Sequence, residues 1–150
     1  MQLNEVLSLD CTKTAVQCTS KKRALEIISE LAAEHSGLEA NHLFESLLTR
    51  EKMGTTGIGN GIAIPHGRVF DTDQAIAVLL KCEEAVDFDS IDSRPVDILF
   101  ALLVPDSQCE THLKTLSLIA EKLNDKATLK LLRHAETDQQ LFDIITGQHH

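Results

Sequence analysis

The sequence predicts an α/β sandwich, a central mixed β-sheet flanked by helices on both faces. Two observations carry this reading. Residues 75–80 are a continuous apolar run and 96–104 a longer one interrupted only by Asp97, the signature of interior strands covered on both sides. Around them lie stretches whose apolar residues recur at helical spacing, several of them bounded by capping residues. At 150 residues the chain is read as one domain, 1–150, long enough to bury roughly two thirds of its unfolded surface. No internal repeat, low-complexity segment or linker composition divides it.

Taken in order, residues 1–8 read as a short amphipathic helix through Leu3, Val6 and Leu7, and 12–18 are β-branched enough for a strand. Ser20 is a natural N-cap for a helix carrying Ala24, Ile27, Ile28 and Leu31, which Gly37 ends. A second helix turns Leu43, Phe44, Leu47 and Leu48 inward and leaves Arg50 at the edge of its buried face. Residues 62–64 form a very short buried strand, closed by Pro65, with His66 at its end. The strands at 75–80 and 96–104 follow, and Pro105 stops the second. Ser107 and Glu110 read as a capping box for a helix with Leu113, Leu116, Ile119, Ala120 and Leu123 inside. A short helix at 127–133 comes next. Thr137 and Gln140 form another capping box, for a last helix holding Leu141, Phe142, Ile144 and Ile145.

Composition narrows the function. A formal net charge of -9 and the absence of Trp and Tyr argue against nucleic-acid binding, which needs cations for phosphates and aromatics for bases. They suit a partner with a basic face. With no charged-then-apolar leader and no run near the roughly 20 apolar residues of a membrane span, the expectation is a cytoplasmic protein without membrane insertion. Cys11, Cys18, Cys82 and Cys109 show no zinc-type spacing and are read as reduced thiols. The closing residues 148–150 are assigned no function.

The chemistry concentrates in 50–68, REKMGTTGIGNGIAIPHGR, where glycines, hydroxyls, cations and a histidine crowd together. His66 lies just beyond one strand and His112 in the second turn of the helix after another, in the region where α/β proteins gather ligands. If those strands are neighbours, the two imidazoles face each other. A neutral ring nitrogen can accept a phosphoryl group without a separate base, because the ordinary histidine pKa is about 6.5. Donors for the transferring oxygens would be Arg50, Arg68, the hydroxyls of Thr55 and Thr56, loop amides from Gly57 and Gly59 onward, and His112. No acidic cluster accompanies the loop, so neither a metal nor a cofactor is expected.

Taken singly, each residue has a plainer reading. His66 could be a loop-end histidine in a structural hydrogen bond, His112 a core-edge histidine and Arg50 a complement to its helix dipole. The glycines alone could make a tight turn. Other chemistries fit worse. The spacing of Gly57, Gly59 and Gly61 is followed by a strand and a proline rather than the helix of a dinucleotide fold, and no GK[ST] marks a nucleotide loop. Cys109-x-x-His112 lacks the further ligands a zinc site requires.

The strings SKKRALEIISELAA, TREKMGTTGIGNGIAIPHGR, PVDILFALLVP and THLKTLSLIA resemble the IIA component of the bacterial phosphotransferase system, in its fructose/mannitol family, across essentially the whole chain. They are similar more narrowly to the family's nitrogen-regulatory branch. The resemblance implies an α/β fold with a mixed sheet. It implies that His66 accepts a phosphoryl group from the phosphohistidine of a small carrier, HPr or its nitrogen-branch counterpart NPr. It places the family's second active-site histidine on His112, its active-site arginine on Arg50 and its basic residue after the turn on Arg68. It also implies regulatory targets such as potassium transporters or sensor kinases, engaged according to phosphorylation state. Two alternatives stay open. One is a sugar-specific IIA component that passes the group to a IIB cysteine; the other is a binding module with a vestigial histidine.

Overall fold

The computed structural model describes residues 3–147. The sheet is built from β1 (Leu7–Val16), β2 (Gly57–Gly59), β3 (Ile62–Ala63), β4 (His66–Val69), β5 (Ile76–Val86) and β6 (Val96–Pro105). The helices are α1 (Lys21–Ser36), α2 (Ala40–Lys52), α3 (Cys109–Asn124), α4 (Lys126–His134) and α5 (Asp138–Thr146). The strands run β1-β5-β6-β3-β2, with β4 also on β6. Pairing is parallel for β1 with β5 and for β3 and β4 with β6, and antiparallel for β5 with β6 and β2 with β3. This is a mixed sheet, as the apolar runs predict. The helices α1 and α2 pack on each other, while α3, α4 and α5 pack in series.

The centre of the sheet is apolar on both faces because β5 and β6 are. From Val96 to Val104 only Asp97 escapes full burial, and Phe100 is completely enclosed. Removing such a side chain would cost about 3–5 kcal/mol, from lost transfer energy and the cavity left behind. Around this core the sequence signals for α1 hold. The Ser20 hydroxyl accepts the Arg23 N–H at 3.0 Å, and Gly37 closes the helix at φ 80°. Thr137 likewise accepts the Gln140 N–H at 3.1 Å, but the Gln140 side chain returns to the Glu136 N–H at 2.7 Å, not to Thr137.

Four expectations are corrected. Of residues 1–8, the first two lie outside the described residues. The rest form only a 3-10 turn, Leu3–Glu5, before β1 begins at Leu7. That strand also ends at Val16 rather than 18. Over so few positions the spacing of Leu3, Val6 and Leu7 fits a helical turn as well as the approach to an edge strand. His66 does not end a strand but opens one. The break at Ile64 and Pro65 divides β3 from β4, and both lie along β6, with Ile62 opposite Ile98 and His66 opposite Leu102. The Pro65 carbonyl accepts the Leu102 N–H at 2.9 Å, so the ladder survives the proline. Finally, no capping box joins Ser107 and Glu110. Ser107 sits in a 3-10 turn, Asp106–Gln108, and α3 starts from Gln108 without a side-chain cap bond.

Among the described residues, no helix is long and apolar enough to cross a membrane.

Candidate active site

Two close approaches create the site. The turn between β2 and β3 is Asn60-Gly61, both at positive φ (57° and 78°), which folds the glycine-rich loop into a hairpin. Further on, Gly67 lets α2 lie directly against β4. A Cβ there would strike the Ser46 hydroxyl and stand 3.0 Å from the Ser46 carbonyl oxygen. Ser46 uses that proximity to donate to the Arg68 carbonyl at 2.6 Å. Arg50 is one helical turn after Ser46 and so reaches the same strand, at His66.

His66 is half-buried, and its two nitrogens have distinct partners. Nδ1–H donates to the Ile64 carbonyl at 2.8 Å, while Nε2 accepts the Arg50 Nε–H at 3.2 Å. Those partners assign the neutral Nδ1–H tautomer, with the Nε2 lone pair on the side of the guanidinium. Burial pushes the His66 pKa below the ordinary value; the Ile64 carbonyl opposes this and the Arg50 charge adds to it. Arg50 is itself held by Nη1–H donating to the Gly54 carbonyl at 2.9 Å.

His66 and Arg50 open into a groove of about 760 Å³ that His112, Cys109 and Arg68 also line. His112 is buried at the start of α3. Its Nε2–H donates to Gln108 Oε1 at 3.3 Å, Nδ1 lies 3.4 Å from the Thr115 hydroxyl, and burial lowers its pKa. Arg68 is exposed and pairs loosely with Asp106 at 3.7 Å. The groove's charged lining is Arg50, Arg68 and Glu45, joined by His42, His66 and His112. A chain of net charge -9 thus gathers positive potential at this place.

Of the residues singled out from sequence, the structure brings His66, His112, Arg50 and Arg68 to one groove. Thr55, Thr56, Gly57 and Gly59 are not in its lining. Thr55 donates to the Phe88 carbonyl at 2.7 Å and accepts the Gly57 N–H at 3.0 Å. Thr56 donates to Glu51 at 2.5 Å, and its N–H goes to the same carboxylate at 2.9 Å. Both hydroxyl protons are engaged outside the groove, on the Phe88 carbonyl and the Glu51 carboxylate. Sequence reasoning also passed over Glu51, a buried carboxylate that Lys21 reaches at 2.7 Å. Nothing local links Lys21 to Glu51. Ser46 was missed too, as was the packing of Gly67 against it, although the four-residue step from Ser46 to Arg50 was a usable signal. So was Asn60-Gly61, a strong hairpin marker.

The fold is thus a mixed α/β sheet whose edge carries a half-buried histidine, an arginine on that histidine's free nitrogen and a second histidine lining the same groove. The chain matches the family model for the phosphoenolpyruvate-dependent sugar phosphotransferase system, EIIA 2, over residues 5–148, and it belongs to that family. Its sequence falls with the nitrogen-regulatory branch. It is 57% identical to a nitrogen regulatory protein of Klebsiella oxytoca, over 97% of this chain and 91% of that one. It is 56% identical to a nitrogen regulatory protein of Escherichia coli K12, over 97% and 90%. Among solved structures, the nitrogen regulatory protein IIA-Ntr of Neisseria meningitidis superposes with a TM-score of 0.91 at 36% identity, over 96% of this chain and 99% of that one.

Proposed function

We propose that this chain is a cytoplasmic regulatory phosphocarrier, working as a single IIA domain, with His66 as its phosphoryl acceptor. The observation that supports this most is the pairing of the His66 Nε2 lone pair with Arg50 in a groove shared with His112. In the proposed step, the N–P bond of a donor phosphohistidine breaks as a P–Nε2 bond forms on His66. His66 keeps its Nδ1 proton on the Ile64 carbonyl, so the ring needs no base. Arg50 releases Nε2 and turns its N–H groups toward the phosphoryl oxygens, and His112 and Arg68 add positive or donor character around them. Donor and product are both phosphohistidines, so the transfer is close to isoenergetic. The protein's task is alignment and charge stabilisation.

The donor in this reading is an HPr-like carrier, NPr in the nitrogen branch. The phosphorylation state of His66 then decides the binding of regulatory targets such as potassium transporters or sensor kinases. The experiment is to incubate the chain with phosphoenolpyruvate and the general phosphotransferase proteins and follow its intact mass. One acid-labile phosphoryl group is expected, and its absence would leave a binding module instead. Adding membranes and candidate sugars then separates regulation from uptake, since sugar phosphorylation sustained by this chain would point to a sugar-specific component.

A further inference from the structure

Away from the groove, two cysteines from different elements meet in the core. Cys18 emerges just after β1, and Cys82 lies in β5, where its backbone pairs with Val16. Their sulfurs are 3.3 Å apart across 64 positions of sequence, and both residues are buried. A disulfide needs about 2.05 Å, so closure requires a contraction of only about 1.2 Å. The parallel pairing of β1 with β5 already holds the two backbones side by side. Neither thiol lines the His66 groove, so the site described above makes no use of them.

We propose that Cys18 and Cys82 are a modification site, a dithiol that a peroxide converts to a reversible intramolecular disulfide. Cys18 is the attacking sulfur. The Cys82 S–H donates to it, which together with the Arg23 charge favours its thiolate, and the same hydrogen bond holds Cys82 protonated. The Cys18 sulfur attacks one peroxide oxygen, the O–O bond breaks, and the departing hydroxide leaves as water with the thiol proton. Cys18 is then a sulfenic acid. The Cys82 sulfur attacks the sulfenic sulfur, the S–O bond breaks, and the hydroxyl leaves with the Cys82 proton as a second water. Two thiols and one hydrogen peroxide give one disulfide and two waters; each sulfur loses one electron and the peroxide gains two. In a thiol-reducing compartment such a bond is a transient, sensing one.

The test treats the full-length chain with equimolar hydrogen peroxide, then maps non-reduced peptides. Expected is a mass loss of two hydrogens, a crosslinked Cys18–Cys82 peptide, reversal by dithiothreitol, and a melting temperature raised on the order of 10 °C by the closed loop. In Cys82→Ala the reaction should stop at a Cys18 sulfenic acid that dimedone traps. A crosslink through Cys11 or Cys109 in place of this pair, Cys18 and Cys82 both left as free thiols, or a two-hydrogen loss surviving in Cys82→Ala would each overturn the proposal. The peptide map of the unsubstituted chain decides the matter even if Cys82→Ala does not fold.

Discussion

The Arg50 Nε–H points at the His66 Nε2 lone pair from 3.2 Å, while the other ring nitrogen is tied to the Ile64 carbonyl. One residue therefore guards the atom to which a phosphoryl group would bond and carries the charge that would stabilise it. Replacing Arg50 with Ala should leave the fold intact, because among the described residues its side chain hydrogen-bonds only to His66 and the Gly54 carbonyl. Transfer to His66 should slow by about 10²–10³-fold, the usual cost of one preorganised donor. Rapid-quench kinetics of phosphoryl uptake would check it; an unchanged rate removes Arg50 from the mechanism.

The lowered pKa of His66 has a sign that can be worked through. In the unfolded chain the ring takes a proton as pH falls through about 6.5; in the native chain burial delays that step. His112 behaves alike. Acceptor reactivity should thus persist below pH 6.5. Stability behaves oppositely: it is full above the unfolded pKa and falls with pH below it, because the unfolded state then binds more protons. An NMR titration of the His66 ring should give a midpoint below 6.5, and urea midpoints should drop between pH 7 and the native titration.

Glu51 anchors the turn that leaves α2. It is buried, paired with Lys21 at 2.7 Å, and accepts both the hydroxyl and the N–H of Thr56. Glu51→Ala would strand the Thr56 donors and leave Lys21 with only its looser Asp89 and Phe88 contacts, so a loss of about 3 kcal/mol is expected in chemical denaturation. Conversely, Thr55→Ala, whose hydroxyl serves the Phe88 carbonyl rather than the groove, should leave transfer rates within a few-fold of the parent.

Gly67→Ala tests the packing that delivers Arg50. The added methyl meets Ser46 on α2, forcing helix and strand apart. About 1–3 kcal/mol should be lost, together with a slower transfer, because Arg50 rides on the displaced helix. A stable protein with full transfer would show that the contact yields without moving Arg50.

Much of this was legible beforehand where burial is two-sided or caps are local. The runs at 75–80 and 96–104 became β5 and β6, and Ser20 and Gly37 bounded α1. That His66, Arg50 and His112 would come to one groove was legible because each sits near an element end beside apolar periodicity. What escaped depends on partners distant in sequence. Strand β4 exists because β6 supplies its ladder, and its exposed Arg68 masks any pattern. Thr55 and Thr56 sit close to His66 in sequence, but the pairing of β2 with β3 turns them toward Phe88 and Glu51 instead. Nothing short of tertiary structure joins Lys21 to Glu51.

The most direct measurement compares the parent chain, His66→Ala and His112→Ala, each incubated with phosphoenolpyruvate and the general phosphotransferase proteins and weighed by intact mass. The account predicts one acid-labile phosphoryl group on the parent, none on His66→Ala, and a slowed but real gain on His112→Ala. Full labelling of His66→Ala would contradict it.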